Sequence, residues 1–83
     1  MTPMQIKILK AVNAGKVTRM YRGGGSAIDG ADAATVVALE KMKLIAESGK
    51  AHKGVFTTVE IFELTDSGRK ALAAFQNTAE SER

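Results

Sequence analysis

The sequence predicts a single small α+β domain built from three helices and two β-hairpins. Three observations predict it. Apolar residues recur at helical spacing near residues 3–14, 31–42 and 66–76. Of the two stretches between them, residues 16–29 alternate with a period of two, and residues 44–64 hold two β-rich runs about a turn. At 83 residues the chain has room for one core and not for two. Residues 1–76 form the expected domain, and residues 77–83 are polar enough for a flexible tail.

The first helix has a clear start. Thr2, Pro3 and Gln5 make a capping box with proline at the first helical position. Met4, Ile8, Leu9 and Val12 share a face, Lys7 and Lys10 lie off it, and Gly15 caps the end. In residues 16–29, Val17, Arg19 and Tyr21 alternate with Thr18, Met20 and Arg22, and Gly23, Gly24 and Gly25 then break the run. A hairpin with a glycine turn follows. No Gly-Lys-Ser/Thr comes after the glycines, so they are a turn and not a phosphate loop.

Residues 31–45, ADAATVVALEKMKLI, hold the central helix. Asp32 caps it, and Thr35, Val36, Leu39 and Met42 share its apolar face. Leu44 to Glu47 reads as a strand, and Ser48 to Gly54 as a basic turn carrying Lys50, His52 and Lys53. Val55 to Leu64 is a second strand of imperfect alternation, with Val59 and Ile61 on one face and Phe62 and Leu64 on the other, which either a bulge or a switch in the covered face would explain. Thr65 caps a last helix from Asp66 to Phe75 or Gln76, with Leu72 and Phe75 inward.

Composition narrows the function. Apolar residues make up 45% and charged residues 25%, as in soluble globular proteins, while 5% aromatics make the core mainly aliphatic. The absence of cysteine removes thiolate chemistry and fits the reducing cytoplasm, where this small basic protein is expected. Neither a membrane span nor a secretion signal is expected. Asp29 and Asp32 flank Gly30 at a helix start, where acids serve capping and the helix dipole. His52 is the lone histidine and makes neither a zinc site nor a triad. The expectation is therefore no enzyme, no metal and no cofactor.

Charge points toward a polyanion. Residues 1–28 carry Lys7, Lys10, Lys16, Arg19 and Arg22 and no acid, giving +5. Residues 29–83 carry seven basic and nine acidic side chains, giving −2 and a net charge of +3. Such asymmetry is an electrostatic footprint of nucleic-acid binders.

Two segments add a resemblance. Leu39-Glu40-Lys41-Met42-Lys43-Leu44-Ile45, followed by Leu64-Thr65-Asp66-Ser67-Gly68-Arg69-Lys70-Ala71-Leu72, resembles winged-helix transcription regulators of the MarR-like and PadR-like kind. The resemblance covers about Val36 to Leu72, under half the chain. It implies a recognition helix from Ala31 to Met42 in the major groove of double-stranded DNA, with a β-hairpin wing, Gly49 to Gly54, on the adjacent backbone. The expected contacts are Lys16, Arg19, Arg22, Ala34, Thr35, Ala38, Lys41, Lys50, His52 and Lys53.

The chain departs from that pattern in three places. Lys43 stands where those families carry glycine, and a left-handed lysine is strained, which leaves the form of the helix end open. A hairpin takes the place of the usual second helix. The outward helix positions are Ala34, Val37, Ala38 and Lys41, of which only Lys41 suits base reading. DNA binding is thus expected to be mainly phosphate-driven. The same four residues support an alternative: a winged-helix protein-interaction module or homodimer, such as a phage-type or plasmid-type regulator that binds and inhibits a host protein.

Overall fold

The computed structural model describes residues 2–81, with side chains as far as Phe75. The order of elements is α1 (Pro3–Asn13), β1 (Thr18–Arg22), β2 (Gly25–Asp29), α2 (Ala33–Lys41), β3 (Ile45–Lys53), β4 (Thr57–Leu64) and α3 (Asp66–Ser81). The strands form one antiparallel sheet in the order β2-β1-β4-β3, so pairing of β1 with β4 joins the two hairpins. Three helices on a four-stranded sheet make the small α+β domain that the sequence predicts.

Strand register sorts the side chains. Ile45, Phe62 and Leu64 are buried on one face, with Ile28 packed at its edge. Ile6, Ile8, Leu9 and Val12 of α1, Val36 and Leu39 of α2, Leu72 of α3, and Val17 and Leu44 just before β1 and β3 complete the core against them. The opposite face carries Met20, Ala27, Val59 and Ile61, none of them fully buried. β4 therefore divides its apolar residues between faces, with one set in the core and one on the open side, and the bulge lies in β3.

The helix ends are built as the residues dictate. Thr2 Oγ1 accepts from the Gln5 N–H at 3.1 Å, and Gln5 Oε1 from the Thr2 N–H at 2.9 Å. At the far end of α1, Gly15 (φ 74°) lets its own N–H reach the Val12 carbonyl and the Lys16 N–H reach that of Ala11. α2 ends the same way on a residue with a Cβ. Lys43 takes φ 62°, its N–H bonds the Glu40 carbonyl, and the Leu44 N–H bonds that of Leu39. The left-handed lysine is thus the geometry adopted, at a cost of about 1–2 kcal/mol.

The start of α3 holds that turn in place. Thr65 Oγ1 donates to the Lys43 carbonyl at 2.6 Å and accepts from the Gly68 N–H at 3.1 Å, and the Thr65 N–H donates to the Leu44 carbonyl at 3.0 Å. Gly68 must be glycine, because a Cβ there would lie 2.0 Å from the Leu44 oxygen. Gly30 is constrained likewise: it has φ 91°, and a Cβ would lie 2.1 Å from the Lys16 oxygen.

Several expectations are corrected. The basic stretch from Ser48 to Gly54 is not a turn, because β3 runs on to Lys53. Between the Glu47–Phe62 and Ala51–Glu60 pairs the register shifts, and Gly49 (φ 80°) lets Ser48, Gly49 and Lys50 bulge. The eight residues of β4 need a partner of similar length, which a four-residue strand does not supply. The tip is Gly54, Val55 and Phe56, closed by the Gly54 N–H on the Thr57 carbonyl at 2.6 Å. In α1, Ile6 is buried and Met4 is not. Met42 is exposed because the helix stops at Lys41 and leaves it as the cap. Phe75 is also exposed on one side, with the Lys10 ammonium 5.8 Å from its ring. α3 passes Gln76 and is helical to Ser81, since neither glycine nor proline interrupts residues 77–81. Of the expected tail, residues 82 and 83 lie outside the described residues.

The crossing of α3 over the α2–β3 turn can be tested by substitution. Lys43→Gly removes the left-handed strain and is expected to raise stability by about 1 kcal/mol in urea unfolding. Gly68→Ala forces α3 off the Leu44 carbonyl and is expected to lower stability by about 3 kcal/mol. Equal stability of Gly68→Ala and the parent would contradict the packing.

Candidate nucleic-acid interface

The sheet sets where each expected contact residue stands. Arg22 lies at the top of β1 opposite Thr57, and Lys53 at the top of β3 opposite Thr58. Since β4 lies between them, their backbones are about 10 Å apart. His52 pairs with Val59, and exposed Lys50 lies in the β3 bulge. Arg22, His52 and Lys53 therefore stand in the last rows at the hairpin end of the sheet, Arg22 and His52 on the face of Val59 and Lys53 on the face of Phe62, while Lys50 lies further along β3, level with Ile61. No acid lies within residues 18–28 or 48–59, the segments that build that end.

The tip itself is apolar, which the sequence reading missed. Val55 is 90% and Phe56 82% exposed, beyond the last strand pair and next to Lys53. Reading the lysines as a turn placed these two residues in a strand. The two closely spaced glycines, Gly49 and Gly54, were the available signal that one marked a bulge.

The other expected residues lie elsewhere. Lys16 is at the opposite end of β1, in the turn whose carbonyl approaches Gly30. Ala34, Ala38 and Lys41 are exposed on α2. Thr35 and Val37 are half-buried, and the Thr35 hydroxyl donates to Asp32 Oδ2 at 2.7 Å. The Thr35 N–H donates to the same oxygen at 3.0 Å. These two bonds pull the Asp32 pKa below its ordinary value, the mark of a carboxylate used as a helix cap. β3 separates the end of α2 from the hairpin tip by roughly 25 Å.

Arg19 is occupied inside the fold. Its guanidinium donates to Glu40 at 2.7 and 3.1 Å and to Glu47 at 3.3 Å. It also stacks 5.0 Å from the Phe62 ring centre, and its side chain is 14% exposed. The hydrogen bond to Glu40 raises its pKa, against an opposing effect of burial. Glu60 stands opposite Arg19 on β4 and keeps one carboxylate oxygen buried without a hydrogen-bond partner. One cation thus answers two carboxylates, Glu40 and Glu47, tying β1 to α2 and β3. Arg19 and Arg22 lie on opposite faces, as strand alternation predicts, and only Arg22 is left for an outside partner.

Tyr21 joins the same cluster. Its hydroxyl donates to the Glu47 carboxylate, 2.8 Å from Oε2. That bond, assisted by partial burial, raises the phenol pKa above its ordinary value, and the nearby Arg19 works against it.

Among the described residues no group of histidine and carboxylate side chains could hold a metal ion. No helix among them is long and apolar enough to cross a membrane. Comparison with known proteins finds no family model, no curated protein and no solved structure that matches this chain significantly.

Two measurements test the cluster. Tyr21 is the lone tyrosine, so ultraviolet titration reports it directly. Its midpoint is expected above about 10, falling toward 10 in Glu47→Gln. The Tyr21–Glu47 bond contributes stability below the unfolded phenol pKa and loses it as pH rises through the folded one. Arg19→Met leaves Glu40 and Glu47 without their shared cation and is expected to cost about 3 kcal/mol at neutral pH, less in acid where carboxylates are neutral. An unchanged melt would contradict the arrangement.

Proposed function

We propose that this chain is a small duplex-DNA-binding regulator. In this reading α2 and the β3–β4 hairpin act as the helix and wing of a winged-helix-like module. The observation that carries it is the hairpin end of the sheet, where Arg22 and Lys53 stand in the last rows, one on each face, in segments free of acid that also carry Lys50 further along β3. A duplex presents closely spaced phosphates, and cations that replace its counterions gain affinity without reading sequence. The roughly 25 Å from that end to Lys41 exceeds the major-groove width of about 12 Å, so wing and helix would meet separate phosphate ridges.

Such a protein would lack most of the side chains that read bases. Ala34 and Ala38 offer no paired hydrogen bonds to base edges. Selectivity would therefore be weak, and Phe56 at the tip would supply apolar contact in a groove.

One observation favours a second reading. Ala34, Ala38 and Met42 follow one another at four-residue spacing and are all exposed, forming a smooth apolar stripe along α2. A stripe of this kind suits a flat protein surface, and the chain would then be a protein-interaction module.

Binding to random duplex across a salt series separates the two. With Arg22, Lys41, Lys50 and Lys53 on phosphates, the slope of log K against log salt is expected near −3 to −4. Lys50→Ala with Lys53→Ala is expected to make it shallower by about 2. Ala38→Arg, at an exposed position, is expected to strengthen DNA binding and to block a flush protein contact. A salt-independent affinity, or a wing double variant equal to the parent, would overturn the DNA reading.

A further inference from the structure

The helices all pack against the face of the sheet that carries Phe62, which leaves the other face uncovered. That face is apolar in its centre. Met20, Ala27 and Val59 lie in one row across β1, β2 and β4, and Ile61 lies in the next, beside Thr18. A monomer with a wet sheet face would alternate polar residues into these positions. Met20, Arg22, Gly25, Ser26 and Ala27 also line a shallow cleft at its edge.

Charge divides the face along the strands. Arg22 stands at the hairpin end, level with Thr57, and His52 stands one row below it. At the opposite end stand Asp29, level with Ile61, and Glu63, which pairs with Ala46. Each of these four side chains is exposed, and none of them has an ion pair among the described residues. Arg22 and Glu63 stand in the rows beyond the two apolar ones, while His52 and Asp29 end those rows at the edge strands.

We propose that this face binds a second copy of the same chain, stacked with strand directions reversed. A two-fold axis across the strands sets the hairpin end of each copy over the far end of its partner. Arg22 then faces the partner's acidic end while the apolar rows meet in the middle, which is the self-complementarity an isologous interface requires. An axis along the strands would instead oppose Arg22 to its own copy. The uncovered area is about 20 Å by 15 Å, the size of a weak and reversible contact. In this arrangement the two Val55–Phe56 tips point away from each other, while Arg22 is shared, so that the second copy and duplex DNA compete for it.

Light scattering and sedimentation over a concentration series test the proposal. The parent chain is expected to pass from monomer to dimer across the micromolar range. Met20→Glu, at an exposed position, is expected to leave monomer only. Arg22→Glu is expected to weaken association about tenfold, and Arg22→Glu combined with Asp29→Lys and Glu63→Lys to restore it. Circular dichroism confirms that each variant keeps its fold. A parent that stays monomeric to about 1 mM would overturn the proposal. A dimer indifferent to Met20→Glu, or tightened by Arg22→Glu, would overturn it equally.

Discussion

The fold depends on one crossing, where the start of α3 lies on the turn between α2 and β3. Thr65 binds the Lys43 carbonyl with its hydroxyl and the Leu44 carbonyl with its backbone N–H. Gly68 then lets the helix approach to a distance that no other residue allows. These contacts hold Lys43 in a conformation it would not choose and set the direction in which β3 leaves α2. They also give a physical reason for the spacing of Leu64, Thr65 and Gly68: a strand end for the core, a hydroxyl that bonds two ways, and a position with no Cβ.

From that crossing the rest of the sheet follows. β3 starts beneath α2, so Glu40 and Glu47 come to lie near each other, and Arg19 from the first hairpin enters between them. The pair is half-buried and bidentate, the kind of ion pair whose loss leaves uncompensated charge. It fastens the first hairpin to the rest of the domain at its centre, while the hairpin ends remain outside. The same placement removes Arg19 from the surface charge and leaves Arg22, Lys50 and Lys53 to define it.

Much of this was legible in the residues. Helix starts at Thr2, Asp32 and Thr65 were readable because capping is local chemistry, and the glycine turn at Gly23–Gly25 for the same reason. The division of β4 between faces was readable because its period is two. What was not legible depended on partners distant in the chain. Whether Gly49 is a turn or a bulge is decided by the length of β4, and the tip at Val55 and Phe56 moves with it. That Arg19 would be neutralised required knowing that residues 21 and 28 positions away would meet it. Met42 and Phe75 had the right spacing for the core, yet the ends of their helices carried them beyond it. The openness of the second sheet face could be seen only once all three helices were placed on the first.

The hairpin end is the surface on which the functional account stands, and its most direct test is residue-by-residue. Amide resonances followed by nuclear magnetic resonance, as random duplex DNA is added at low salt, should shift for Arg22 and for residues 50–57, with a lesser change at Lys41. The amides around Arg19 should hold still. Shifts confined to Ala34, Ala38 and Met42, or no shifts at all, would contradict the account.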